Sequence, residues 1–225
     1  MASGDKLRLV VKGNSEVSAL LVRPQTAQRL LVLGHGAGAG MAHPFMEKLV
    51  AELANAGIAT LRYQFPYMEE RRRVPDKPEL LASTVAAAVQ LAKKAAPELP
   101  LLAGGKSMGG RMTSQAAAEN LLGPVKGIVF FGFPLHPPNR PSTKRAEHLA
   151  KVGVPMLFVQ GTRDTLADLT LLRPICASLG ARATLHIINE ADHSFHVLKK
   201  AGRTDSEVMT ELAQTTAAWT TKLND

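Results

Sequence analysis

Three residue types that together can carry out nucleophilic acyl transfer, a serine, a carboxylate and a histidine, each stand in this chain beside short turn-forming stretches. Ser107 lies in Gly105-Lys106-Ser107-Met108-Gly109, after the apolar run 99–103 and before the helix-like 111–118. A serine at a strand-to-helix turn of this pattern is lifted clear of the sheet on a strained backbone. The flanking glycines are needed because a Cβ there would meet strand or helix. A serine hydroxyl attacks a carbonyl only when a base takes its proton, and that base needs an acid to hold its tautomer. Both partners follow in the chain order Ser, Asp, His. Asp164 closes Gln160-Gly161-Thr162-Arg163-Asp164 after an apolar run, and His193 stands in Ala191-Asp192-His193-Ser194-Phe195 after another. Asp168 is the alternative acid, at a position that suits a helix N-cap equally well. His196 is the alternative base, whereas His186 falls within a strand pattern.

A second glycine-rich stretch, Gly34-His35-Gly36-Ala37-Gly38-Ala39-Gly40, follows the apolar run 30–33. Such a loop lets backbone N–H groups approach a reacting atom. The N–H groups of Met108 and Ala37 are expected to form an oxyanion hole, with Gly36 and Gly38 beside the substrate. The same loop admits a competing reading, because Gly34-x-Gly36-x-x-Ala39 fits a dinucleotide fingerprint and Arg62 ends the next strand, where an NADP 2′-phosphate could sit. Against it, Pro44 marks a helix start several residues beyond the glycines, whereas the fingerprint sets the pyrophosphate directly on the helix N-terminus. A phosphate-binding loop ending in Gly105-Lys106-Ser107 would need glycine at position 100, which is Pro100.

The elements that must position these residues alternate. An antiparallel hairpin is expected from the alternating runs 6–11 and 17–22 about Gly13-Asn14. Strands are then expected at 30–34, 58–62, 100–104, 126–131, 154–159 and 183–188, and helices at 44–56, 77–96, 108–120, 144–151, 168–179 and 205–222. Strands alternating with helices imply an α/β fold with a mostly parallel sheet covered on both faces, whose ligands bind at the carboxyl ends of the strands. Ser107, Asp164, His193 and the loop 34–40 all lie there.

Composition narrows the rest. With 225 residues and 45% apolar side chains, one domain spanning 1–225 is expected. Cys176 is the only cysteine, so an intramolecular disulfide is excluded, and no N-terminal stretch has the build of a secretory signal; a cytoplasmic location is expected. No apolar run approaches the roughly 20 residues needed to cross a bilayer, and no membrane partner is expected. The net charge of +8 is spread along the chain. Its one basic run, Arg71-Arg72-Arg73, follows Glu69-Glu70 and is expected to be a solvated loop, so no nucleic-acid partner is expected.

On the stretches 34–38, 105–110, 161–164 and 191–195 the chain resembles the α/β-hydrolase superfamily, specifically its small, lid-less branch near the dienelactone hydrolases and short carboxylesterases. The resemblance runs nearly end to end. It implies an eight-stranded, mostly parallel sheet and a serine hydrolase with Ser107 as nucleophile, His193 as base and Asp164 as orienting acid. Dienelactone hydrolases proper carry cysteine where Ser107 stands. Only Gly132 to Thr143 separates strand from helix after the elbow helix, too little for a cap domain. That segment is expected to form one wall of the pocket, through Phe133, Leu135 and His136, and the loop carrying Tyr63 and Phe65 another. The expected activity is cleavage of a small carboxylic ester or thioester without cofactor or metal. A non-catalytic module of the same fold is the alternative.

Overall fold

The computed structural model describes residues 4–11 and 15–223. The turn expected at Gly13-Asn14 lies outside them. In chain order the elements are β1 (Asp5–Val10), β2 (Glu16–Val22), β3 (Arg29–Gly34), α1 (Pro44–Asn55), β4 (Ile58–Tyr63), the short α2 (Pro66–Glu69), α3 (Pro78–Ala95), β5 (Leu101–Lys106), α4 (Met108–Ala118), β6 (Ile128–Phe131), β7 (Met156–Gly161), α5 (Leu169–Ser178), β8 (Ala183–Ile188) and α6 (Asp205–Thr220). The eight strands form one sheet in the order β1-β2-β4-β3-β5-β6-β7-β8. β2 pairs antiparallel with β1 and with β4, and every pairing from β4 to β8 is parallel.

Side chains along a strand alternate between the two faces of a sheet, and here both faces are covered, so the central strands are apolar throughout. Leu31, Leu33, Leu102, Phe131 and Val159 pack on one face against Met46 and Leu49 of α1 and Val208 and Leu212 of α6. Leu30, Val32 and Ala103 pack on the other against Leu81 and Val85 of α3 and Met112 of α4. Farther along that face Phe130, Met156 and Phe158 pack against Leu149 and Leu172. Each large side chain so buried contributes about 1.5–3 kcal/mol, which fixes the strand ends that carry the loops. Local signals set the helix starts: Pro44 occupies the first turn of α1 behind the cap His43, and Thr204 and Glu207 form a reciprocal capping box on α6.

The structure differs from the sequence expectation in several elements: β7 is shifted by two residues from 154–159 to Met156–Gly161, β6 starts at Ile128 and not at 126, the short α2 is not among the expected helices, and two further differences have a local cause. The stretch 144–151 is a 3-10 helix. Its buried residues Ala146 and Leu149, with Val152 after them, recur every third position, which matches three residues per turn. β5 extends beyond 104 to Lys106, because the chain passes from strand to helix through Ser107 alone. Between β6 and the 3-10 helix the described residues hold no cap domain, and no described helix is long and apolar enough to cross a membrane.

β3, β5 and α4 meet backbone to backbone. A Cβ on Gly105 would stand 2.5 Å from the Gly34 carbonyl oxygen and 2.7 Å from the Gly110 nitrogen. A Cβ on Gly109 would drive into the Gly34 carbonyl as well, and backbone cannot step aside as a side chain can. Gly109→Ala is therefore expected to cost about 3 kcal/mol or more, seen as a thermal midpoint lowered by at least about 6 °C.

Candidate active site

Ser107 lies at the crossing of β5 and α4 with φ 51° and ψ −114°, a left-handed conformation costing about 1–3 kcal/mol that persists because strand and helix both dictate it. Its N–H is held by the Phe131 carbonyl (3.2 Å), and its Oγ lies 2.9 Å from His193 Nε2. His193 Nδ1 lies 2.7 Å from Asp164 Oδ2. A carboxylate accepts, so Nδ1 carries the proton and Nε2 turns its lone pair to the serine hydroxyl. The structure thus brings together the three residues from the ends of β5, β7 and β8. The Asp164 side chain is 0% exposed and the His193 side chain 22%, so the hydrogen-bonded chain runs from the interior out to the cleft.

Each member is held by groups that motif spacing does not reveal. Asp164 Oδ2 also accepts from Gln160 Nε2 (2.5 Å), and Oδ1 accepts from Leu166 N (2.8 Å). Gln160 Oε1 accepts from Phe133 N (2.9 Å), so this buried amide ties the acid to the loop after β6. A glutamine in the otherwise apolar Met156-Leu157-Phe158-Val159 strand was the available signal, since a fully buried amide needs partners. The His193 loop is shaped by Asp192, whose Oδ1 accepts from Ser194 N (2.8 Å) and His196 N (3.0 Å). Phe195 adopts φ 62° to close that turn.

The loop after β3 is fixed with equal care. His35 is buried and neutral: Nδ1 donates to the Gly36 carbonyl (2.8 Å) and Nε2 accepts from Phe65 N (3.1 Å). Burial pushes it down to about 4. Gly38 N donates to Tyr67 Oη (3.1 Å), Tyr67 N donates to Asp76 (2.9 Å), and Asp76 is ion-paired with Arg72 (2.5 Å). The N–H groups of Ala37 and Met108 make no hydrogen bond among the described residues. Ala37 lines a cleft of about 320 Å³ with Gly36, Ala39, His43, Phe45, Met46, Lys106, Ser107, Leu166, His193 and Ser194.

Other expected pocket residues lie elsewhere. Tyr63 and Phe65 are 0% exposed and packed edge-on at 5.2 Å within the core: Tyr63 is the last residue of β4, on the same face as Ala59 and Leu61, and Phe65, the cap of the short α2, packs against His35. Phe133 and Leu135 pack with Phe130 and Phe158, so their segment supports the Asp164 loop instead of walling the cleft. His136 donates to Pro137 O and accepts from Asp168 N, beside a separate hollow of about 430 Å³. Asp168 caps α5, His196 is paired with Asp205, and His186 with Glu211. Arg62 donates to the Met41 carbonyl (3.0 Å), which commits it to the loop. A second serine–histidine pair, Ser114 Oγ and His148 Nε2 at 2.7 Å, lies between α4 and the 3-10 helix. That hydroxyl donates its proton to the Arg111 carbonyl (3.0 Å) and so accepts from His148, which is pushed down to about 4 by burial and by Arg111 and has no carboxylate partner among the described residues.

Residues 27–221 match the model of the alpha/beta hydrolase domain family. The chain belongs to the α/β-hydrolase family. Among solved structures it is similar to a dienelactone hydrolase from Anabaena variabilis ATCC 29413, at 24% identity and a TM-score of 0.76, over 99% of this chain and 100% of that one. It is similar too to a serine hydrolase without a lid from Xanthomonas campestris, at 18% identity and 0.75, over 97% and 96%. A third is the esterase domain of a Rhodothermus marinus protein, at 14% identity and 0.73, over 98% and 99%. At these identities the likeness is one of fold, and all three align over nearly their whole length on an α/β-hydrolase chain without a cap.

The two neutral histidines make stability pH-dependent. His35 and His148 sit near 4 when folded and near 6.5 when unfolded, so the unfolded chain binds the extra protons between those values. Their contribution is full above about pH 6.5 and is lost as pH drops toward 4, by up to about 1.4 kcal/mol per pH unit for each group. Urea unfolding at pH 7, 6 and 5 is expected to show this slope, and His148→Gln to make it shallower by one such increment.

Proposed function

We propose that this chain is a single-domain serine hydrolase that cleaves a small carboxylic ester or thioester through an acyl-enzyme. The observation that carries the reading is the hydrogen-bonded chain Ser107–His193–Asp164, with distances of 2.9 and 2.7 Å. Ser107 Oγ adds to the substrate carbonyl as its proton passes to His193 Nε2. The imidazolium so formed is held by Asp164 and returns the proton to the leaving oxygen or sulfur. Water then attacks the acyl-serine by the same proton route, releasing the acid and restoring the hydroxyl. The free N–H groups of Met108 and Ala37 would hold the oxyanion, a contact whose loss typically costs on the order of 10² to 10³ in turnover. Gly36 lies beside them at the cleft, while Gly38 is spent on Tyr67.

A fluorophosphonate tests the mechanism without knowledge of the substrate, because its adduct mimics the tetrahedral state. Labelling is expected on the peptide containing Ser107, absent in Ser107→Ala and largely lost in His193→Ala. Asp164→Asn is expected to keep the fold and lose about 10⁴ in kcat. A folded wild-type protein left unlabelled at neutral pH would replace this reading with that of a non-catalytic module.

Cleft size sets the preferred acyl chain. About 320 Å³ bounded by Phe45, Met46 and Leu166 buries a short chain, and each further CH₂ gains about 0.8 kcal/mol only while apolar wall remains. Across p-nitrophenyl esters kcat/KM is expected to peak at short acyl chains. A steady rise through twelve carbons would contradict it.

A further inference from the structure

Lys106 occupies the position immediately before the nucleophile, and its side chain is buried. By strand alternation it leaves β5 on the same face as Leu102, toward α1 and the His193 loop. Its Nζ donates to the backbone carbonyl of His193 (2.5 Å). The ammonium also stands 5.7 Å from the ring centre of Phe45 at the start of α1, and 5.4 Å from that of Phe195 in the His193 loop. Those rings are themselves stacked at 5.9 Å. A buried cation is costly without compensation, and here a charge-assisted hydrogen bond and two aromatic faces provide it. The stem of Lys106 runs beneath Gly36 and lines the cleft, while its charged end reaches the carbonyl of the histidine loop.

Resting on the hydrolase reading above, we infer that Lys106 is a positioning residue: its ammonium ties the nucleophile strand to the loop of the base and holds the His193 imidazole at bonding distance from Ser107. The bond closes a short circuit. The donor is the residue next to the nucleophile along the chain, while the acceptor is the backbone of the base itself, so one contact links the two reacting residues directly. A misplacement of about 1 Å at such a pair can cost on the order of 10²-fold in rate.

The charge on this strut depends on pH. The charged groups facing it are Asp164, on the loop after β7, and Asp192, on the loop after β8, and both favour the protonated form. The His193 carbonyl is its acceptor, α1 presents the ring of Phe45 with His43 farther along the same cleft, and the Gly132 backbone lies alongside. Burial outweighs the carboxylates and pushes Lys106 down to about 8. The strut is therefore closed below about pH 8 and weakens above it, as a neutral amine keeps only an ordinary hydrogen bond and loses its attraction to the two rings.

The test is kcat and KM for p-nitrophenyl acetate from pH 6 to 10 in the wild type, K106M and K106R. K106M keeps the stem and removes the charge. Its kcat at pH 7 is expected to fall about ten- to a hundredfold with KM within about twofold, and the loss of activity above pH 8 is expected to vanish. K106R, which stays charged, is expected to recover part of kcat and to show no decline between pH 8 and 10. A K106M enzyme with wild-type kcat and an unchanged pH profile overturns the inference. Should K106M fail to fold, the rate of fluorophosphonate labelling of wild-type Ser107 over the same pH range decides the matter, with circular dichroism confirming the fold at pH 10. A rate that falls above pH 8 supports the strut, and one that stays level to pH 10 overturns it. Wild-type protein unlabelled at every pH would mean that the hydrolase reading itself has failed, and the role of Lys106 with it.

Discussion

A single residue stands between the last pair of β5 and the first turn of α4, and the backbone of Gly109 rests directly on that of Gly34. Most of the molecule follows from that contact. It sets the distance between the strand that carries Ser107 and the glycine loop after β3, and it leaves Ser107 no conformation but a left-handed one. The strain is sustained because β5 is flanked by paired strands on both sides and α4 is packed along its length on the sheet. Helix and sheet packing at the far end of these elements thus becomes the exposure of one hydroxyl.

Around that hydroxyl the polar groups are committed before any substrate arrives. Asp164 accepts from three donors, Gln160 spends both ends of its amide, His35 uses both ring nitrogens and Asp192 holds two backbone N–H groups. In a poorly solvated interior such bonds are strong, and a half-satisfied network would be worse than none. The N–H groups of Met108 and Ala37 stand apart from this pattern as donors without an acceptor among the described residues.

Much of this was legible in the residues. Alternating apolar runs and helical stretches implied a parallel sheet, and Ser107, Asp164 and His193 stood out because each follows a strand. Gln160 and Lys106 were not legible as members of the site. Each sits at the end of a buried strand, where sequence marks a polar residue as needing a partner but does not say which loop, dozens of residues away, supplies it. Phe65 and Phe133 were equally opaque. An aromatic residue after a strand can face a cleft or the core, and here a one-turn helix at Pro66 and the amide of Gln160 turn those segments inward. The same kind of limit applies at 144–151, where a spacing of three separates a 3-10 helix from an α-helix that the overall polarity fits as well.

The run Arg71-Arg72-Arg73, which composition alone marks as a solvated loop, is connected to the interior. Arg72 grips Asp76, Asp76 holds the N–H of Tyr67, and the Tyr67 hydroxyl holds the N–H of Gly38 in the loop that faces Ser107. The outermost member of this chain of contacts is bathed in solvent and touches nothing a substrate would touch. Drift at Arg72 or Asp76 can therefore shift the pitch of the glycine loop while every cleft residue stays the same. Ionic strength acts on the same outer link, giving the surroundings a slight mechanical hold on a site they do not enter.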